Sequence, residues 1–252
     1  MPPLMPPLHP LLAVVVGFLV MQIATMATTV YLHRGITHRA IAFRPAAAIP
    51  LRFVIWITTG IRPREWAAVH RRHHAHVDTP EDPHSPAILG FWRVQLGNIF
   101  LYHRAVHDRD QVARYSRDLS PDRLDRLVFD HDVIGPALGT AFLCAVFGWP
   151  TGLLAVGVHI VLYVGVNSAV NSVGHTFGTR PETTTSGTNS RLLAFFTMGE
   201  GLHNNHHTAP TSARLAFERW QFDGGWWFVR VMQRLGWLTV RHSEPRVLAR
   251  AS

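Results

Sequence analysis

Two stretches of this chain, residues 1–32 and 133–173, contain no Asp, Glu, Lys or Arg. So much uninterrupted apolar chain needs hydrocarbon or a large protein interior around it. The run from Leu11 to Leu32 is about 22 residues, enough to cross ~30 Å of bilayer as a helix. Val133 to Trp149 and Leu153 to Val173 read as two further spans, with a tight turn expected at Trp149-Pro150-Thr151-Gly152 between them. The first run lacks a basic start and a small-residue cleavage site, which argues against a removable signal. Ala46 to Ile61 is apolar as well, but it is short and interrupted by Pro50 and Arg52. It reads as a re-entrant or interfacial helix.

Every one of the 24 basic residues is arginine, 15 of them between residues 33 and 132 and nine after residue 173. The positive-inside rule therefore puts both polar stretches on the cytoplasmic side of a bacterial-type cell membrane. Lysine chemistry is excluded, and the single Cys144 excludes both an intrachain disulfide and a thiolate cluster. The expected fold is an all-α integral membrane protein in one domain, 1–252. In it, a small transmembrane bundle (about 11–32, 133–149 and 153–173) and an interfacial segment (about 46–61) carry a cytoplasmic helical cap (62–132 and 174–252).

Histidine supplies the chemistry. Eight of the 17 histidines fall in three clusters: His33 and His38 in HRGITH, His70, His73 and His74 in HRRHH, and His203, His206 and His207 in HNNHH. On an α-helix, positions i, i+3 and i+4 share a face, so the second and third clusters can each converge. His33 and His38 are about 140° apart on such a helix, so the helix is expected to end between them, at Gly35. Imidazole suits iron, copper, zinc and nickel, and so many nitrogens with almost no sulfur do not describe a structural zinc site. Two metals sharing the ligands is the natural reading, with all three clusters on one side of the membrane. That requirement makes 46–61 interfacial, since a crossing there would separate the first cluster from the second.

The last span ends at Asn171-Ser172-Val173-Gly174-His175 on that same side, so His175 is expected as a ninth nitrogen ligand and Asn171 as a weaker one through water. Metal-bound imidazoles usually give their other N–H to a carboxylate, and Asp82 and Glu200, flanking the second and third clusters, are the candidates. Asp78, Glu81 and Glu65 read as surface charges. His9, His103, His107, His131 and His242 read as surface or headgroup residues, and His159, inside a span, as a hydrogen-bonded structural histidine. Residues 183–190, TTTSGTNS, read as a mobile loop, and Phe217 to Leu238 as a Trp- and Arg-rich helix at headgroup level.

In order, YLHRGITHRA, EWAAVHRRHHAHVDTPEDPHSP, NSVGHTFG and GEGLHNNHHTAP resemble the membrane-bound fatty acid desaturase family, in its Δ9 acyl-CoA and acyl-lipid branch. The resemblance runs from about Val30 to Leu238. It implies two iron ions, cycling between Fe2+ and Fe3+, held by His33, His38, His70, His73, His74, His175, His203, His206 and His207, with Asn171 acting through water. It also implies O2-dependent desaturation of a saturated acyl chain. Animal acyl-CoA desaturases carry charged residues where this chain has Ala68 and Val69, which leaves Arg62, Arg64, Arg71 and Arg72 as headgroup candidates. Small residues such as Gly139, Gly165 and Ala169 can wall an acyl tunnel or pack helices.

The chain has neither a Cys cluster nor a GxGxxG motif, so electrons are expected from a separate ferredoxin-like or rubredoxin-like donor and its reductase, steered by the basic face. The other expected partners are O2, the bilayer and an acyl-CoA or acyl-lipid substrate, with no nucleic acid. Two further functions fit the same residues less well. One is a di-iron hydroxylase or monooxygenase of a lipid or natural product; the other, more remote, is a histidine-rich metal transporter, which would carry more ionisable residues within its spans.

Overall fold

The computed structural model describes residues 10–243; His9 and residues 244–252 lie outside the described residues. Helix α1 (Pro10–Ala27) runs without a break into a π-helical segment, Thr28–Thr37. Strand β1 (Ile41–Phe43), α2 (Pro45–Thr59) and α3 (Pro63–Ala75) follow. Next come a short α4 (Pro86–Leu89), α5 (Phe91–His107) and α6 (Arg109–Tyr115). Helices α7 (Ile134–Phe147) and α8 (Trp149–Ser172) form a hairpin, and α9 (Arg191–Phe196), α10 (His203–Thr208), α11 (Gly224–Arg234) and β2 (Leu238–Val240) follow. A small sheet pairs Ile41 with Val240 and Phe43 with Leu238, tying the segment after the first histidine cluster to the segment after α11.

Among the described residues, two helical stretches are long and apolar enough to cross a bilayer, Pro10–Thr37 and Trp149–His175, of 28 and 27 residues. The third expected span is a helix of only 14 residues, α7. The expected turn at 149–152 is instead the first turn of α8. Gly148, at φ +80°, makes the reversal alone, and Pro150 is tolerated because a helix's first N–H groups need no intrahelical partner. The outer faces of these helices carry exposed Leu19, Ile23, Phe142 and Val161, a surface that suits hydrocarbon.

Glycine sets how closely these helices approach. A Cβ on Gly17 would sit 2.4 Å from Ala155 O, where α1 crosses α8. Gly135 and Gly139, four apart on α7, lie against the α2 backbone, where their Cβ atoms would come 2.2 Å from Trp56 O and 2.6 Å from Ile57 O. Gly165 faces open space, so of the small residues read as tunnel walls or packing contacts these two differ in role.

Helix α2 keeps Pro50 in its interior, and its awkward arginine is buried. Arg52 donates to both carboxylate oxygens of Asp122, at 2.8 and 2.9 Å, and lies over the Phe129 ring. That clamp docks α2 onto the segment leading to α7. Ala68 and Val69 pack with Ala105, Val106 and Val112, which fixes α3 against α5 and α6. The expected helix over Phe217 to Leu238 begins only at Gly224, because Asp223 caps α11 through Trp226 N and also binds buried Arg34 at 2.8 Å. Gly225 admits that arginine: its Cβ would meet Arg34 Nη1 at 2.4 Å.

Gly135→Ala is expected to lower thermal stability by about 1–3 kcal/mol through overpacking against backbone. Gly165→Ala should be neutral or stabilising by up to ~1 kcal/mol, the helix-propensity gain alone. Melting the two purified variants in detergent checks this, and equal effects would refute the packing assignment.

Candidate metal centre

The first cluster owes its geometry to the π-helix. His38 N donates to His33 O at 3.0 Å, an i→i+5 bond that stacks residues five apart on one face. The rings lie 4.7 Å apart between centroids. The helix therefore does not end at Gly35. It widens through it, and Gly35 is small because the Phe43 ring packs on it.

The second cluster lies on α3 at the α-helical spacing. The third occupies α10, only six residues long, so local helix formation cannot hold it in place. Its two asparagines do this instead. Asn204 Nδ2 donates to Glu182 O, Thr185 Oγ1 and Gly187 O, at 2.7–3.0 Å. Asn205 Nδ2 donates to Leu215 O and Gln221 Oε1, and its Oδ1 accepts from Asn189. The segment 183–190, expected to be mobile, is pinned by these bonds, and its Ser186 Oγ lies 3.2 Å from His175 Nδ1.

The rings assemble into two groups. His33, His38, His70, His74 and His206 form one, and His73, His175, His203 and His207 the other; within each, one donor atom per residue lies within 4.8 Å of all the rest. Their Nε2 atoms face one another, at 3.1 Å for His33–His206, 2.8 Å for His206–His74 and 3.1 Å for both His74–His70 and His70–His38. In the second group, His203 Nε2 is 3.0 Å from His175 Nε2 and 3.1 Å from His207 Nε2.

The outward nitrogens decide what those Nε2 atoms are. His73 Nδ1 lies 2.9 Å from Asp82 Oδ2, and a carboxylate only accepts, so that Nδ1 carries a proton and Nε2 faces the other rings. Asp82 is fixed in turn by Asp78 N and His84 N. Glu200 Oε1 lies 2.9 Å from His33 Nδ1, off the hydrogen-bonding line of the ring, and accepts from Thr29 Oγ1. Asp78 Oδ2 is 3.5 Å from His175 Nδ1. Asp78 thus belongs to the centre, although its sequence position reads as surface. Burial, reinforced by neighbouring rings, holds His70, His74, His203, His206 and His207 well below the ordinary histidine value, in the neutral form that binds metals. Lone pairs packed this closely repel unless cations lie between them, and an all-nitrogen, buried donor set fits a transition metal.

Asn171 sits in neither group. It lines a small cavity of about 90 Å³ together with His33, His70 and Glu200. His84, which the sequence reading did not assign, lines it too, its ring tilted 39° to that of His73 with centroids 4.8 Å apart; the signal for it was its place two residues after Asp82. His103, His107, His131 and His242 are exposed. His159 is buried and bonded to Thr58 O at 2.8 Å, as a structural histidine should be.

Of the arginines singled out, Arg71 binds Thr37 O, Ile36 O and Tyr115 O and braces the first cluster. Arg64 donates to Ser116 Oγ, and Arg72 to Glu81 O. Arg62 pairs with Asp132 at 3.0 Å, and alone of the four it borders the large cavity. That cavity, about 950 Å³, runs among α2, α5, α7 and α8 and shares Trp66, Asn98, Tyr102 and Asn167 with the small one beside the rings. On the other side of the centre, a polar opening of about 510 Å³ reaches His38, His74 and His207.

Residues 8–236 match the family model described as fatty acid desaturase. The chain is 34% identical, over 84% of its length and 68% of the relative's, to the acyl-CoA C20 Delta5-desaturase of Anemone leveillei. It is 32% identical to Delta-9 acyl-lipid desaturase 2 of Arabidopsis thaliana, covering 89% of this chain and 73% of that one. To the sn-1 stearoyl-lipid 9-desaturase of Anabaena variabilis it is 34% identical, covering 85% and 78%.

The buried neutral rings carry a pH signature. Below about pH 6.5 they remain unprotonated while folded but gain protons when unfolded, so the unfolded state binds more protons there. Their contribution to stability is complete above that pH and is lost as the pH falls toward the depressed folded values. Chelator-treated protein should therefore melt progressively lower between about pH 7 and 5. A melting temperature that rises with acidification would contradict the neutral assignment.

Proposed function

The chain belongs to the fatty acid desaturase family, and on that premise we propose that this enzyme uses O2 to remove two hydrogens from a saturated acyl chain, with Δ9-type placement, presented as acyl-CoA or acyl-lipid. One observation carries the reading: nine histidine rings gather in a five-ring and a four-ring group beside an apolar cavity of about 950 Å³.

In this reading His33, His38, His70, His74 and His206 hold one iron ion and His73, His175, His203 and His207 the other, with Asn171 contributing through water. Iron held there, cycling between Fe2+ and Fe3+, would activate O2, the oxidant, which takes two hydrogens from the chain and two electrons and two protons from outside and leaves as water; redox-inert zinc would not do this. The protein's own part is positional. Asp82 keeps the His73 proton on Nδ1 and so keeps its Nε2 directed inward. Trp66, Tyr102 and Asn98, which line both cavities, lead the acyl chain past the rings. Apolar walls such as Ile57, Leu143 and Ile160 exclude water along its length. Arg62, at the cavity border, is the arginine left to meet an anionic headgroup.

We assign the centre to the cytoplasmic face of a cell membrane, because all 24 arginines lie outside the charge-free stretches 1–32 and 133–173. A separate ferredoxin-like or rubredoxin-like donor with its reductase delivers the electrons, and the polar opening at His38, His74 and His207 offers the nearest approach.

Expressed with a competent donor in a host lacking unsaturated-chain synthesis, the enzyme should add double bonds that mass spectrometry locates, and His73→Ala should add none. Under 18O2 the desaturated product should carry no label; labelled product would identify a hydroxylase instead. Asp82→Asn should weaken metal retention against a chelator by about 10–100-fold, with activity falling in step. Unchanged metal content in that variant would remove Asp82 from its supporting role.

A further inference from the structure

His159 does more than bridge two helices. It is 5% exposed, on α8, and its Nε2 lies 2.8 Å from Thr58 O in the last turn of α2. A carbonyl only accepts, so Nε2 carries the single proton of the neutral ring and Nδ1 is a bare acceptor. That Nδ1 is buried and has no partner, and His159 lines the large cavity. Capping Thr58 requires a donor alone, which a tryptophan provides without introducing an unpaired acceptor. A buried acceptor left unmade is costly, and an ionisable side chain inside a span is a functional feature by default.

The same cavity holds three more buried polar atoms without partners: Asn98 Oδ1, Tyr102 Oη and Ser168 Oγ. A plain methylene chain satisfies none of these four atoms. An occupant bearing a hydroxyl satisfies at least one of them.

We infer that the cavity is built for a hydroxylated chain and that His159 Nδ1 determines this specificity by accepting a hydrogen bond from the hydroxyl. The inference deepens the acyl-channel reading above and rests on it. His159 lies 16 residues before His175, about 24 Å along the helix axis, so the hydroxyl it reads is remote from the reacting carbons.

The test uses the full chain in lipid nanodiscs, in competition binding against a labelled saturated fatty acid, corrected for partition into empty discs. The competitors are the unsubstituted acid and a series of its monohydroxy isomers in which the hydroxyl is walked from carbon to carbon. One isomer should bind about tenfold tighter than the unsubstituted acid, the equivalent of ~1.4 kcal/mol. His159→Phe should abolish that preference while leaving affinity for the unsubstituted acid within about threefold, as expected for an apolar contact preserved. His159→Gln, whose amide donates to Thr58 and whose carbonyl accepts, should retain it.

The wild-type series decides even where the Phe variant does not fold. If the unsubstituted acid binds as well as every isomer, the inference fails and the acyl-channel reading stands. A preference that persists in His159→Phe also overturns it. If no chain competes at all, both fall together.

Discussion

Nine imidazole rings converge in two adjoining groups, and the rest of the structure depends on making that tolerable. Ring nitrogens packed at 2.8–3.1 Å are unfavourable by themselves, and the arrangement needs both support behind the rings and cations between them. The supports come from every side: Asp82 behind His73, Glu200 beside His33, Asp78 and Ser186 beside His175. The rings rest on four separate elements, so the centre does not exist until the chain has folded around it.

The cap is built to the same end. The asparagines between the third-cluster histidines fix a helix too short to stand alone, and Asn189 binds both their backbone N–H groups. Arg34, beside His33 in sequence, is fully buried on Asp223, which also accepts from Leu215 N and caps α11. Arg71, between the second-cluster histidines, binds two carbonyls of the first. The residues interleaved with the ligands are therefore the braces of the site, and the two helices that can cross a bilayer both end at it. The apolar cavity among α2, α5, α7 and α8 adjoins the rings through Trp66, Asn98, Tyr102 and Asn167.

Much of this was legible beforehand, and each discrepancy has a physical cause. His70, His73 and His74 could be placed on one face because α-helical periodicity is a local property. His33 and His38 could be paired only by supposing a helix end, because nothing local announces a π-helix. The supposed turn at 149–152 is helix because Gly148 alone absorbs the reversal. The polar 183–190 segment looked mobile by composition, yet side chains from residue 204 pin it. Asp78 read as a surface charge because the ring it faces, His175, is far away in sequence, and His84 went unassigned.

By itself, the sequence determined the membrane class, the family, and which histidines belong together, because charge segregation and i, i+3, i+4 spacing are written in nearest neighbours. The tertiary structure alone decided how nine rings divide into five and four, since each group draws on helices far apart in the chain. It alone decided that Asp78 faces the centre while Arg71 braces it. It also left His159 Nδ1 bare inside a cavity. Whether a buried polar atom is satisfied depends on everything packed around it, and that is a property of the folded molecule.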